Sequence, residues 1–460
     1  MRVTQPYDGE LIAEIPVDDA AEIEAKLESA VRVFSSRDNW LPAWQRVDIL
    51  RRLARLVEKD HDELSMLIAR EGGKPLADAR VEVRRAINGI EVAASHIERL
   101  AGVEIPMGLT PASAHRWAFT TKEPIGPVVA ISAFNHPLNL IVHQVVPAIA
   151  AGCPVLVKPA PVTPLTCVHF VSLLHKSGLP EPWCQAVILD DNSLAQKLAT
   201  DSRVAFLSFI GSATVGWQLR SQLAPGTRCA LEHGGAAPVL IDRSANLDAV
   251  IDPLAKGGYY HAGQVCVSVQ RIFVHEELKA SFVERFSERV RRLNIGDPRS
   301  MQTEVGPLIV PQEVTRVGKW VGDAVADGAT LAAGGRPIGD RLYEPTVLLE
   351  PRPSSLVSTN EIFGPVTCIY GFTGLAEAVT RANSLPFAFQ ASIFSRDIDA
   401  ALYAAKHLAA SAVMVNDHTA FRTDWMPFAG QRRSGLGIGG IPYTMEDMLQ
   451  SKIIVLRHGI

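Results

Sequence analysis

Apolar and polar positions change rhythm twice along the chain. From about residue 18 to 100 the apolar residues recur at helical spacing between charges. The plainest run is Arg46 to Leu64, where Val47, Leu50, Leu53, Ala54, Val57 and Leu64 share a face. The spacing predicts amphipathic helices whose charges face solvent. Beyond residue 124 the charges stop. The uncharged segment Pro124 to Val157 has the length of a membrane span, but Pro127, Pro137, Pro147 and Pro154, with Asn135, His136, Asn139, His143 and Gln144, cut it into pieces of strand and helix length. Val128 to Ser132 reads as a buried strand, Pro137 to Ala150 as a helix with proline in its first turn, and Val155 to Val157 as a second strand. Such a βαβ unit predicts a parallel sheet.

The alternation continues through a strand at Ala186 to Leu189, a helix at Ser193 to Ala199, a strand at Val204 to Ile210, a helix from Gly211 to about Leu223, and a strand at Val239 to Ile241. Repeats of this length predict a doubly wound α/β domain. A second α/β pattern spans about 248 to 425, with strands at Arg271 to Val274, Val366 to Tyr370, Ala391 to Phe394 and Ala412 to Val415. At 460 residues the chain exceeds what one core normally serves, so two large domains, or two and a small appendage, are expected.

Composition narrows the partners. Hydrophobic residues are 47% and charged residues 20%, which argues against disorder, and a net charge of −4 with both signs interspersed points to neither nucleic acid nor membrane. The N-terminus carries no apolar leader, so a cytoplasmic enzyme is expected. The cysteines at 153, 167, 184, 229, 266 and 368 form no CxxC pair, and neither a disulfide framework nor a metal site is indicated.

Candidate chemistry begins with Cys229-Ala-Leu-Glu232-His-Gly-Gly235 and Gly263-Gln-Val-Cys266, which offer a general base and a thiol nucleophile. Alone, Glu232 equally suits a strand-to-turn carboxylate and Cys266 a buried small apolar residue. Gly211, Ser212 and Gly216 form a strand-to-helix turn able to receive a pyrophosphate or simply to cap the helix. The letters GxGxxG do occur, at Gly435 to Gly440, but only 20 residues follow and Ile441-Pro442 stands where a helix should run, so this stretch is not expected to bind a dinucleotide. Asn135 suits a helix N-cap or an oxyanion donor, Lys158 ends a strand, and Glu361 opens Glu-Ile-Phe363-Gly-Pro.

Together, in order and spacing over nearly the whole chain, these motifs resemble the aldehyde dehydrogenase superfamily, and within it the lactaldehyde and phosphonoacetaldehyde dehydrogenase branch. The resemblance implies an α/β fold with a doubly wound dinucleotide-binding domain (1–105 and 125–232), an α/β catalytic domain (233–432) and a small β oligomerisation extension (106–124 and 440–460) that builds a homodimer or homotetramer. It implies oxidation of a small-molecule aldehyde with NAD or NADP through a thioester on Cys266. Asn135 and the Cys266 N–H would hold the oxyanion, and Glu232 would deprotonate the attacking water. Lys158 would hold the adenosine ribose, Gly211, Ser212 and Gly216 the pyrophosphate, and Glu361 and Phe363 the nicotinamide end. Three departures stand out. Lys158-Pro-Ala-Pro161 has proline where many NAD-preferring members have glutamate, which leaves NADP open. His233 replaces an aliphatic residue, and Ala236-Ala237 replace Lys-Asn, both close to Glu232. CoA-acylating members generally lack this glutamate, and a non-catalytic scaffold would not be expected to keep Cys266, Glu232, Asn135, Lys158 and Glu361 together.

The same resemblance places the helix after Asn135 along the substrate tunnel. Positions three, four and seven along a helix share a face, so His136, Asn139, Leu140 and His143 are expected to converge there. The loop His418 to Phe428 matches the substrate-anchoring loop and would bring Arg422 and Phe428 to the tunnel. A short polar aldehyde is expected, anionic if Arg422 faces it. The alternative, with the histidines bonded to backbone and Arg422 paired with Asp424, is equally open.

Overall fold

In a computed structural model that describes residues 1–459, Val128–Ile131 and Val155–Lys158 are buried at every position. That burial requires a helical layer on each face of the sheet. Six strands lie in the spatial order Gly435–Leu436, Arg228–Glu232, Phe206–Ile210, Val128–Ile131, Val155–Lys158, Cys184–Ala186, parallel except for the first. The chain winds outward from Val128–Ile131 on one side and then returns to the other as Phe206–Ile210. Between these two strands the winding reverses, and a crevice opens at their carboxyl ends.

The centre of the uncharged segment becomes the helix Asn139–Ala151, in which all thirteen residues are buried. At about 1.5 Å per residue it is near 20 Å long, and no described helix is long and apolar enough to cross a membrane. Leu50, Leu53, Val83, Ala86 and Ile90, from the helices Ala43–Lys59 and Leu76–His96, pack against Val142, Val145 and Ile149 in one core.

This helix starts two residues later than the sequence pattern suggests. Its first amides are capped from far away in the chain: Glu82 Oε1 accepts from Leu138 N at 2.9 Å and Asn139 N at 3.0 Å, while the other carboxylate oxygen takes the Lys74 ammonium. Glu71 does the same for the helix Leu165–Lys176, accepting from the Leu165 and Thr166 amides at 2.8 and 2.9 Å. The expectation of solvated charges on the first helices therefore fails at Glu71, Lys74 and Glu82, which are buried.

A second sheet has seven strands in the order Thr330–Ala333, Thr346–Leu349, Val366–Phe372, Val269–His275, Ala237–Ile241, Gln390–Phe394, Ala412–Val415, antiparallel only at its first pair. A third, antiparallel sheet joins Leu449–Arg457 to Arg116–Pro124 over nine residue pairs, with Glu104–Ile105 beyond.

Three expectations need correction. The strand placed at 186–189 is Cys184–Ala186: Val187 N makes one last bond to Val157 O at 2.9 Å, and the chain then leaves the ladder as Ile188 N turns to Asp18. A helix does follow the glycines at 435–440, Ile441–Asp447, with proline in its first turn. Finally, residues 440–460 are not all extension: Ile441, Met445, Met448 and Leu449 sit in the core beneath the first sheet.

Candidate active site

The crevice at the winding reversal is a cavity of about 720 Å³. Asn135, Lys158, Gly211, Ser212 and Glu232 reach it from the first sheet, and Cys266, Glu361, Phe363, Arg422 and Phe428 from the second, with His136 between them. Two expected residues stand back from its wall. Gly216 lies behind the turn, and His143 lies behind Arg422.

Cys266 sits on a loop that leaves the helix Leu247–Tyr259 through a left-handed run, His261, Ala262 and Gly263, with φ of 51°, 55° and 71°. Gln264 ties this loop down. Its side chain donates to the His261 and Pro307 carbonyls and accepts from Ile309 N, and its own carbonyl accepts from Asn135 Nδ2 at 2.9 Å. Asn135 is therefore not a helix cap, since Glu82 caps the helix. One of its two amide protons is held by Gln264, and the other remains for a ligand.

The carboxylates come in through spaces that glycines leave open. A Cβ on Gly234 would lie 1.7 Å from Glu361 Oε1, and one on Gly439 would lie 2.2 Å from Glu232 Oε1. Each acid thus occupies the position a side chain would fill. Burial raises the proton affinity of both, Glu361 to about 8, against a weaker opposing pull from the Gly235 N–H, while Arg422 partly offsets burial at Glu232. Burial, then Glu361, push the Cys266 thiol up to about 12, with Glu232 adding to the effect.

The far end of the cavity suits a dinucleotide. Ile131, Ala160, Pro161, Ala195, Val215 and Leu219 make apolar walls. Burial alone lowers the Lys158 pKa, with no carboxylate close enough to raise it. Glu361 Oε1 is buried without a partner, an acceptor that the hydroxyls of a ribose would satisfy.

On the other side of Cys266 lies a charged cluster. Arg85 donates to Asp424 through Nη2 at 2.8 Å and Nε at 3.3 Å. His143 Nε2 is 2.8 Å from Asp424 Oδ1, and Arg422 Nη2 is 3.2 Å from His143 Nδ1. A carboxylate only accepts and a guanidinium only donates, so His143 is the Nε2–H tautomer. Burial and Arg422 hold it neutral, its pKa down to about 4. The Arg422 guanidinium carbon stands 3.5 Å from the centre of the Phe428 ring, and its Nε is buried without a partner. Both readings of this region are thus partly replaced. His143 serves Arg422 and does not line the tunnel, and Arg422 reaches Asp424 only through His143. Arg85, which lines the cavity, was missed because a charge on an amphipathic helix reads as solvated.

Comparisons with known proteins show the family and the fold. The model of the aldehyde dehydrogenase family matches residues 1–454. A 3-sulfolactaldehyde dehydrogenase of Priestia aryabhattai is 34% identical over 99% of this chain and 95% of its own length. The crystal structure of aldehyde dehydrogenase 21 from Physcomitrella patens, in complex with the product succinate, superposes with a TM-score of 0.96 at 34% identity, covering 99% of this chain and 95% of that one. Glyceraldehyde-3-phosphate dehydrogenase GapN from Methanocaldococcus jannaschii, complexed with NADP, gives 0.94 at 33% identity, covering 100% and 99%.

A thiol raised to about 12 is protonated at neutral pH, and its reactive thiolate fraction grows as pH rises. Alkylation of Cys266 by iodoacetamide in the ligand-free protein, followed by peptide mass spectrometry, should accelerate about tenfold per pH unit from pH 8 to 10. A plateau below pH 8 would show that the thiol is not raised.

Proposed function

The chain belongs to the aldehyde dehydrogenase family, and on that premise we propose how its residues divide the NAD(P)-dependent oxidation of an aldehyde to its carboxylic acid, and which aldehyde they select. Cys266 Sγ, as thiolate, bonds to the aldehyde carbon. The oxygen that becomes negative is held by the free Asn135 Nδ2–H and the Cys266 backbone N–H. Bound NAD or NADP supplies the acceptor for the hydride, and a thioester on Cys266 remains. Glu232 takes a proton from water as the water attacks this thioester, the C–S bond breaks, and acid and thiolate separate. The raised proton affinity of Glu232 supports its role as base, because a carboxylate near its ordinary pKa would hold the water's proton weakly.

Lys158 is assigned to the adenosine ribose, the Gly211 to Gly216 turn to the pyrophosphate, and Glu361 and Phe363 to the nicotinamide end. With Pro161 three residues after Lys158 and no carboxylate acting on that lysine, nothing in the ribose pocket repels a 2′-phosphate, which leaves it open to NADP as well as NAD.

The substrate we assign is a short aldehyde that carries an anionic group. The observation behind this is the pair Arg85 and Arg422 on the cavity wall: Arg85 is ion-paired with Asp424, whereas Arg422 makes no salt bridge among the described residues and has the buried Glu232 as the first carboxylate acting on it. Asp424 and His143 hold the two side chains in place, so little ordering is needed when an anion arrives. The names of the relatives, which act on sulfolactaldehyde or glyceraldehyde 3-phosphate or carry bound succinate, are in keeping with this.

Ile453, Val455 and Leu456 on the free-edged strand Leu449–Arg457 are about half exposed, and Trp117 beside it is 67% exposed. Ala412–Val415 is likewise an edge of the seven-stranded sheet. Apolar edges of this kind support a homodimer or homotetramer built by strand pairing. The six unpaired cysteines suit a reducing, cytoplasmic location.

Three measurements test these assignments. Glu232→Gln should keep a rapid NAD(P)H burst but lose about 10²-fold or more in steady-state turnover, and added CoA should not raise wild-type turnover; unchanged turnover would remove Glu232 as base. Arg422→Leu or Arg85→Leu should raise KM for anionic aldehydes about tenfold or more and leave neutral ones within about twofold, in line with a charge-assisted hydrogen bond; an equal effect on both classes would reject the anionic substrate. Light scattering should give a dimer or tetramer, and a monomer would rule out pairing through these edges.

A further inference from the structure

His233 follows Glu232 directly and is 2% exposed. Its backbone N–H donates to Ser434 O at 3.0 Å, and the Gly211 N–H donates to the Glu232 carbonyl at 3.1 Å. The imidazole then makes a second link to the same glycine, with Nδ1 2.9 Å from Gly211 O. A carbonyl only accepts, so Nδ1 carries the proton and Nε2 the lone pair. Gly211 is thus gripped on both sides, at its N–H by Glu232 and at its C=O by His233.

The ring has little freedom to leave. Phe209 and Trp217 flank it with centroids at 5.8 and 6.0 Å. On another side Gly216 makes room, since a Cβ there would lie 2.0 Å from His233 Cε1. Burial lowers the pKa of the imidazole, and Nε2 has no partner.

In a trans peptide the C=O and the following N–H point in opposite directions. A Gly211 carbonyl drawn to His233 therefore turns the Ser212 N–H the other way, and Gly211, Ser212 and His233 all line the cavity. We propose that His233 is a positioning residue for the cofactor: by fixing the direction of the Gly211 carbonyl it fixes the opposite direction of the Ser212 N–H, which it presents to the pyrophosphate, and it ties the turn to the strand end that carries Glu232. An unpinned carbonyl could rotate toward the phosphates, where its negative end repels them. The inference rests on the placement of the pyrophosphate at the Gly211 to Gly216 turn.

The alternative role for the ring is to fill space, and side-chain chemistry separates the two. Leucine fills the volume but donates nothing. Asparagine places its Nδ2 where the imidazole has Nδ1, two bonds from Cβ, and glutamine places its nitrogen one bond too far. Binding of NADH and of NADPH, measured by fluorescence titration without aldehyde, should weaken about five- to tenfold in His233→Leu and in His233→Gln, as for one lost hydrogen bond. His233→Asn should stay within about twofold of wild type, and kcat at saturating cofactor should move less than about twofold in all three. Wild-type affinity in His233→Leu, or equal loss in the asparagine and glutamine variants, would overturn the proposal. If the leucine variant does not fold, the asparagine and glutamine pair decides. Ser212→Glu puts a like charge in the turn, and if it fails to weaken binding, the placement of the pyrophosphate fails and the role of His233 with it.

Discussion

A helix buried along its whole length still needs acceptors for its first amides, and in this chain Glu82 provides them. One carboxylate oxygen takes the Leu138 and Asn139 amides and the other the Lys74 ammonium. All the groups are out of water, so the arrangement is worth little as a net gain but about 3–5 kcal/mol to break from one side. It fixes where the segment before the helix emerges, and that segment carries Asn135. Asn135 in turn donates to Gln264, two residues before Cys266, and the Gln264 side chain holds the rest of that loop. The proposed oxyanion donor and the proposed nucleophile come from different sheets. Their relative position follows from a capping problem solved in the first one.

The charges in the cavity are sorted by position. Near Cys266 are two carboxylates whose proton affinity is raised by burial, and they raise the thiol in turn. Of the cations, Lys158 stands toward the proposed ribose end and Arg85 toward the proposed substrate tunnel, while Arg422 is close enough to pull against burial at both Glu232 and Cys266. Before ligands bind, Glu361 and Cys266 favour their neutral, protonated forms, and the positive charge of Lys158 and Arg85 lies where the anionic parts of the proposed ligands would dock.

What the sequence made legible, and what it hid, follows from where each partner lies. Parallel strands buried on both faces show as unbroken apolar runs, so Val128–Ile131 and Val155–Lys158 stood out. The start of the helix Asn139–Ala151 did not, because its cap is Glu82, more than fifty residues away, and no local serine or aspartate announces it. The misplaced start carried over into the site. A helix begun at Pro137 put His136 and His143 on one face, whereas His136 precedes the helix and His143 turns to Asp424. Arg85 was hidden for a related reason. A charge beside apolar positions on a helix looks solvated until the loop containing Asp424 is known to close over it. The order and spacing of the motifs around Cys266 and Glu232 needed no tertiary partner to be recognised, which is why they were readable first.

The glycines show the limit of reading motifs by letter. Gly435 to Gly440 spell the dinucleotide fingerprint, yet Gly435 opens an edge strand antiparallel to Leu231 and Glu232, and Gly439 leaves the space that the Glu232 carboxylate enters. Gly234 does the same for Glu361 and Gly216 for His233. A glycine pattern states that something comes close to the backbone, and the fold decides what that is. Where the neighbour is a phosphate, the pattern is a binding loop. Where it is a buried carboxylate, the glycine and the acid are one feature encoded at two distant points of the chain. The Gly439 position therefore controls the proposed base as directly as its own sequence neighbours do, although nothing in the local sequence of either residue names the other.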